Sequence, residues 1–204
     1  MSCTHVTRSI YRLVFALTFC FFASRSEANP SVSETIDKVQ TFYSQIKDLK
    51  GNFKQVYTDS LYDRKRTSYG YLYVKKPGMM RWNYVKPERK AFIADGKELW
   101  VWEPEDKQAF RNPLSAETLS SGLTFLLGTG DLRKEFEIKD ATDKGEQLGG
   151  PDDLLLRLEP RSPTASFQYL LLAVSKTNHA VIESMVVNQH SKNHFIFTNL
   201  MVNT

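Results

Sequence analysis

Between Tyr69 and Val74 the chain alternates, with Tyr69, Tyr71 and Tyr73 on one side and Gly70, Leu72 and Val74 on the other. A period of two sends successive side chains to opposite faces, so the run reads as a strand. Met80, Trp82 and Tyr84 alternate in the same way with Met79, Arg81 and Asn83. From Thr67 to Pro113, runs rich in Tyr, Trp, Val, Phe and Ile are separated by K-K-P-G, K-P-E-R-K, D-G-K and P-E-D-K. Turn formers this close together leave no room for crossover helices, which makes the stretch an antiparallel meander. Leu99-Trp100-Val101-Trp102 is apolar at every position, so that strand has large groups to cover on both faces.

Helical spacing shows in two places. From Pro30 to Leu49, Ser31 and Glu34 fit a capping box, and Ile36, Val39, Phe42 or Tyr43, Ile46 and Leu49 recur on one side. Gly51 is expected to end that helix, and Phe53 to Tyr57 to begin the first strand. From Ser115 to Gly130, Leu119, Leu123, Leu126 and Leu127 share a helical face, punctuated by Gly122, Gly128 and Gly130. Each interior Gly costs about 1 kcal/mol against Ala. A short, apolar, glycine-broken helix suits a movable lid, and locally it suits a core helix equally. Strands resume at Phe136–Lys139, Leu154–Leu158, Phe167–Val174, Val181–Gln189 and His194–Val202, with a polar loop at Asp140–Asp153. About ten strands in hairpin order must curl to bury a face. The expected fold is mainly β (α+β): an unclosed antiparallel barrel with an α-helical lid.

The first 28 residues change the accounting. Arg8 and Arg12 precede an apolar run from Leu13 to Ala23, and Ser26-Glu27-Ala28 supplies small residues before a cut. That is the pattern of a secretory signal peptide, leaving residues 29–204 as a single domain. Both cysteines, Cys3 and Cys20, lie in the leader, so the mature chain has no disulfide, thiol nucleophile or thiolate ligand. Phe19 before Cys20 is too bulky for a lipid-modification site, so the mature protein reads as free of an anchor. Setting aside Arg8, Arg12, Arg25 and Glu27 lowers Lys+Arg from 27 to 24 and Asp+Glu from 23 to 22, a balance of +2. A nucleic-acid binder is usually more basic and more clustered.

The motifs of common catalytic sites are missing: no G-x-S-x-G, P-loop, G-x-G-x-x-G or H-E-x-x-H. His190 and His194 are four apart across a turn and read as solvated residues, not metal ligands. Glu103, Glu105 and Asp106 read as one exposed turn, not an acid–base pair. Neither an enzyme, a metal site nor a cofactor is expected. What is unusual is the apolar material around a sheet that helices can cap. A half-closed barrel under helices can enclose a cavity, and an aromatic lining suits acyl chains. Met80, Trp82, Trp100, Leu126 and Leu127 fit a dry core by the same pattern.

Several stretches together resemble one family. They are Phe53-x-Gln55, then Gly70-x-Leu72-x-Val74-Lys75-Lys76-Pro77, Arg81-Trp82-x-Tyr84-x-x-Pro87 and Ile93-x-Asp95-Gly96-Lys97-x-Leu99-Trp100, with the Pro104 turn and the L-T-F-L-L segment after them. In order and spacing the chain resembles the periplasmic lipoprotein carrier family, LolA. The resemblance implies an unclosed barrel with a helical lid. It implies a monomeric shuttle that takes triacylated lipoproteins from an ATP-driven, ABC-type releasing complex in the inner membrane. Cargo then crosses the periplasm to a receptor at the outer membrane. By the same resemblance, Leu72, Met80, Trp82, Tyr84 and Trp100 would line or border the concave face, and Phe125, Leu126 and Leu127 would be the lid's apolar side. Lys76 falls where an arginine commonly holds the closed lid, and a lysine lacks the planar fork, so Arg81 is a second candidate tether. Met80 falls where an aromatic is common at the cavity mouth. The family pattern continues past Val202-Asn203-Thr204 with another strand, so a chain ending there is expected to expose a sheet edge. The alternatives are a periplasmic lipid or glycolipid binder, or a relative of the outer-membrane receptor, with the same architecture. A hydrolase is disfavoured by the missing nucleophile–base pairs.

Overall fold

The computed structural model describes residues 31–114, 130–142 and 147–204. The expected leader at 1–28 and the lid residues Phe125, Leu126 and Leu127 lie outside them. Helix α1 spans Val32–Gln45. The strands are β1 (Asp48–Asp59), β2 (Arg64–Lys75), β3 (Met79–Lys86), β4 (Lys90–Asp95), β5 (Glu98–Glu103) and β6 (Gln108–Pro113). A helical turn, α2 (Leu132–Glu135), precedes β7 (Phe136–Asp140), β8 (Leu154–Pro160), β9 (Tyr169–Val174), β10 (Val181–Val187) and β11 (Ser191–Val202).

All the strands join one antiparallel sheet of 11, in the order β6-β5-β4-β3-β2-β1-β11-β10-β9-β8-β7. Two meanders, β1 to β6 and β7 to β11, meet where β1 pairs with β11 from Asp59↔Ser191 to Leu49↔Val202. The outermost strands, β6 and β7, do not pair with each other, so the barrel is open. One more strand is present than the ten or so expected. The one with least sequence signal is β6, whose residues are all exposed and therefore carry no apolar alternation.

Curvature follows from ring distances. Strands β3 and β11 are separated by β2 and β1. Three steps of about 4.8 Å would hold them about 14 Å apart in a flat sheet. Yet the rings of Trp82 on β3 and Phe195 on β11 have centroids 5.2 Å apart. The sheet curls around them, and the face they share is its concave side. That face carries one buried cluster drawing on nearly every strand and on Ile36, Val39 and Tyr43 of α1. A smaller cluster (Ala141, Leu148, Leu155, Leu171, Ala173) lies outside β8 and β9.

Two expectations about the ends of elements need correction. The helix stops at Gln45, with Ile46 already extended as its C-cap, and Leu49 and Gly51 belong to β1. Gly51 serves the sheet instead: a Cβ there would run into the side chain of Leu200 on the neighbouring strand. The capping box does form, with Ser31 Oγ accepting from the Glu34 amide and the Glu34 carboxylate accepting from the Ser31 amide. The C-terminal strand β11 pairs with β1 along its length and with β10 at Lys192–Ile196, so Phe197–Val202 are paired on the β1 side.

Candidate functional site

Register decides which side chains share the concave face. Across the sheet, Gly51, Leu72, Trp82, Phe92 and Val101 are paired in one row, and Leu49, Val74, Met80, Ala94 and Leu99 in the next. Paired residues in an antiparallel sheet point the same way. Leu72, Met80, Trp82 and Tyr84 therefore lie together on the inner side, each at most 9% exposed. Trp82 packs on Phe53 at 5.2 Å, Phe195 at 5.2 Å and Phe197 at 6.1 Å between ring centroids. Tyr84 packs on Phe53 at 4.9 Å and Phe92 at 6.0 Å. Gly70 makes this possible: any Cβ there would overlap the Asn83 carbonyl oxygen and the Phe53 ring.

Phe53, Phe92, Phe195 and Phe197 were not among the lining residues expected from sequence. The signal for the last pair was present in the F-I-F alternation at 195–197. The partners across the sheet were not, because they depend on β11 docking beside β1.

Two expected site residues sit on the other face. Arg81 lies between Met80 and Trp82 in sequence, so its side chain must point outward, where its Nε donates to Asn83 Oδ1 at 2.8 Å. Trp100 pairs with Ile93, and Ile93 with Arg81, which puts it in the same outer row. There the Arg111 guanidinium lies 5.7 Å from its ring. Leu99 and Val101, on either side of it, are the inward residues of that strand. A cavity of about 550 Å³ is also on this outer side, between the cross-sheet rows Lys50–Tyr73–Arg81–Ile93 and Asp48–Lys75–Met79–Asp95.

Lys76 does hold a helix, but the one described here is α1. Its Nζ donates to the backbone carbonyl of Tyr43, in the last turn. That turn has no basic residue of its own. A cation there donates to a last-turn carbonyl and complements the negative end of the helix dipole. Burial pushes the Lys76 ammonium below its ordinary pKa. The Tyr43 hydroxyl in turn accepts from the Val181 amide at 3.1 Å, tying α1 to β10. At the other end of α1, Gln40 bonds Gly130 and Leu132, and Arg133 Nη2 donates to Asp37 Oδ1 at 2.7 Å.

Beyond Tyr84 the inner face turns polar. A cavity of about 190 Å³ is lined by Gln55, Tyr57, Arg66, Ser68, Pro87, Glu88 and Lys90. The Lys90 ammonium stands 4.9 Å from the Tyr84 ring and 5.6 Å from that of Phe92. Burial pushes the Tyr84 phenol well above its usual range, so it stays a neutral donor. Among the described residues, two buried polar side-chain atoms have no hydrogen-bond partner: Thr35 Oγ1 on α1 and Trp82 Nε1 in the aromatic cluster. A buried unsatisfied donor costs about 1–3 kcal/mol. The site thus has an apolar floor, aromatic walls, a helix fastened over it and a polar rim, and no His, Cys, Asp or Glu cluster suited to a metal among the described residues.

The sequence model of the family described as "Outer membrane lipoprotein carrier protein LolA" matches residues 44–204. That span begins in α1 and covers every strand of the sheet. The chain belongs to the LolA family. An outer-membrane lipoprotein carrier protein of Xanthomonas oryzae pv. oryzae is 30% identical over 168 residues, covering 82% of this chain and 78% of the relative. One from Methylococcus capsulatus is 26% identical over 174 residues, covering 85% and 78%. Among solved structures, an uncharacterized conserved protein from Thermus thermophilus superposes with a TM-score of 0.53 over 86% of this chain and 89% of that one, at 11% identity. At that identity the likeness speaks to the fold alone.

Proposed function

We propose that this protein is a periplasmic carrier that shields the acyl chains of lipoproteins between the inner and outer membranes. The observation that carries the reading is the curled sheet whose concave side holds one large apolar cluster, covered by a helix on a few polar ties. Leu72, Met80, Trp82 and Tyr84 form the acyl-facing wall, and Phe125, Leu126 and Leu127 the apolar side of the lid. Family membership supplies the cargo class, because the curated relatives are lipoprotein carriers. Cargo would come from an ABC-type releasing complex and pass to an outer-membrane receptor, each contact made by the monomer after removal of residues 1–28.

The physical step is an exchange of burial. With no cargo, the wall and its helical cover bury each other. Acyl chains displace the cover and take over that contact, each CH₂ contributing about 0.8 kcal/mol. Because the gain offsets a loss of similar size, net affinity stays low enough for release.

The test uses spheroplasts whose inner membrane holds labelled triacylated lipoproteins. Adding the protein is expected to yield a soluble one-to-one complex that then delivers cargo to outer membranes. Leu126→Glu is expected to reduce release at least about tenfold, since a charge on the lid's apolar side opposes its contact with hydrocarbon. A folded protein that releases no lipoprotein but still binds a fatty-acyl probe would reassign it to another lipid ligand.

A further inference from the structure

The indole of Trp82 is only 4% exposed, and its Nε1–H has no acceptor among the described residues. It sits in the wall of the acyl-facing surface, ringed by Phe53, Phe195 and Phe197. None of these side chains carries an acceptor oxygen or nitrogen. Along β3, Tyr84 follows on the same face, and then come Ser68, Gln55 and Lys90 around the small polar cavity. Polarity therefore rises in one direction: hydrocarbon at Val74 and Met80, a lone donor at Trp82, a phenol at Tyr84, and amide, hydroxyl and ammonium groups at the rim. On the side of Trp82 away from that cavity, the paired row Leu49–Val74–Met80–Ala94 is wholly apolar.

An acylated ligand has the same order. Its tails are hydrocarbon, its first polar atom is the acyl carbonyl oxygen, and its glyceryl or peptide part follows. A fatty tail gives Trp82 nothing to bond, whereas the carbonyl at its head does. We propose that Trp82 Nε1–H is the donor that receives the acyl carbonyl of bound cargo. The tails then lie along the apolar cluster toward Val74 and Met80, and the polar linker lies in the cavity lined by Gln55, Ser68 and Lys90. This rests on the carrier reading and adds to it: the site recognises acyl esters and amides, not hydrocarbon length alone. The unbound protein leaves the donor unsatisfied, and cargo relieves it.

Ester and ether lipids separate this from simple greasiness. Dipalmitoylglycerol and its diether counterpart, di-O-hexadecylglycerol, present matched tails, but only the diester has carbonyls. Each would be titrated against a fluorescent fatty-acyl probe bound to the purified protein. The diester is expected to bind about fivefold more tightly, the ratio one neutral hydrogen bond supplies. Trp82→Phe is expected to bring the diester-to-diether affinity ratio to about one, whatever it does to the affinity for either lipid. Equal binding of the two lipids by the unmodified protein would overturn the proposal, as would a preference that survives in a folded Trp82→Phe variant. Should that variant not fold, proton–nitrogen NMR of the unmodified protein decides. The chain has three tryptophans, and Trp100→Phe and Trp102→Phe on the outer face identify the Trp82 indole signal by elimination. That signal is expected to shift downfield with diester and not with diether; the same response to both overturns the donor role. If neither lipid displaces the probe and no lipoprotein is released from spheroplasts, the carrier reading fails first and this inference with it.

Discussion

Lys76 places an ammonium on the carbonyl of Tyr43 where α1 ends. The bond is charge-assisted and half-shielded, and burial depresses the lysine's pKa. A hydrogen bond to a charged group contributes about 1.5–3 kcal/mol when well shielded, and partial exposure cuts that figure. Lys76→Met keeps most of the stem's packing and deletes the bond. It is expected to lower the unfolding free energy by about 1 kcal/mol in urea titrations. If α1 is a cover that must yield, the same variant should take up a fatty-acyl probe faster in stopped flow. Loss of stability with no change in uptake rate would confine Lys76 to holding the fold. The family resemblance made Lys76 a candidate tether of the lid; its bond to α1 was not legible, because only folding brings the end of α1 against the β2–β3 turn. Arg81 and Trp100 teach the complementary point. The parity of Arg81 was already fixed by Met80 and Trp82 on either side of it. Trp100 lies in a strand apolar at every position, so its face is set by pairing with Ile93.

At the scale of elements, the edge formed by β7, β8 and β9 is pinned on its outer side by charge. Lys139 Nζ lies 2.7 Å from Glu159 Oε2, and Arg157 Nε donates to Glu159 Oε1 at 2.8 Å. The Arg157 guanidinium also stacks 3.4 Å from the centre of the Tyr169 ring. Hydrogen bonds from Lys139 and Arg157 hold the Glu159 carboxyl below its ordinary value of 4.5. A pKa lower in the folded than in the unfolded chain adds stability above the unfolded value and loses it as pH falls through the folded one. Melting temperature is therefore expected to fall as pH drops below about 4.5, and Glu159→Gln should flatten that limb while lowering the neutral-pH plateau only slightly. An unchanged acid limb in the variant would move the effect to other carboxylates. Strands such as β2 and β3 were legible because one face is buried and the other wet, which prints a period of two on the sequence. β6 has no buried face and prints nothing; it exists because β5 offers a row of backbone partners from Glu98↔Pro113 to Glu103↔Gln108.

For the whole molecule, the central fact is that β1 and β11, far apart in sequence, are neighbours at the centre of the sheet. β1 is flanked by β2 and β11, and the β1–β11 pair forms the seam between two meanders. The seam also carries Phe53, Phe195 and Phe197, half of the aromatic wall. Stability and the candidate site thus share residues, which restricts where the molecule can open. Opening at the seam would separate β1 from β11 and destroy the wall. Lifting the helical cover breaks ties from Lys76, Gly130, Leu132, Arg133 and Val181 and leaves the strand ladder intact. Amide hydrogen exchange should show that order. β1, β2 and β11 are expected to exchange slowest and at a common free energy, β6 and β7 faster as unpaired edges, and α1 faster than the seam. Adding a fatty-acyl ligand should change protection in α1 and leave β1 and β11 as they were. If ligand instead loosens β1 and β11, uptake opens the barrel through its seam, and the burial exchange under a movable cover is the wrong mechanism.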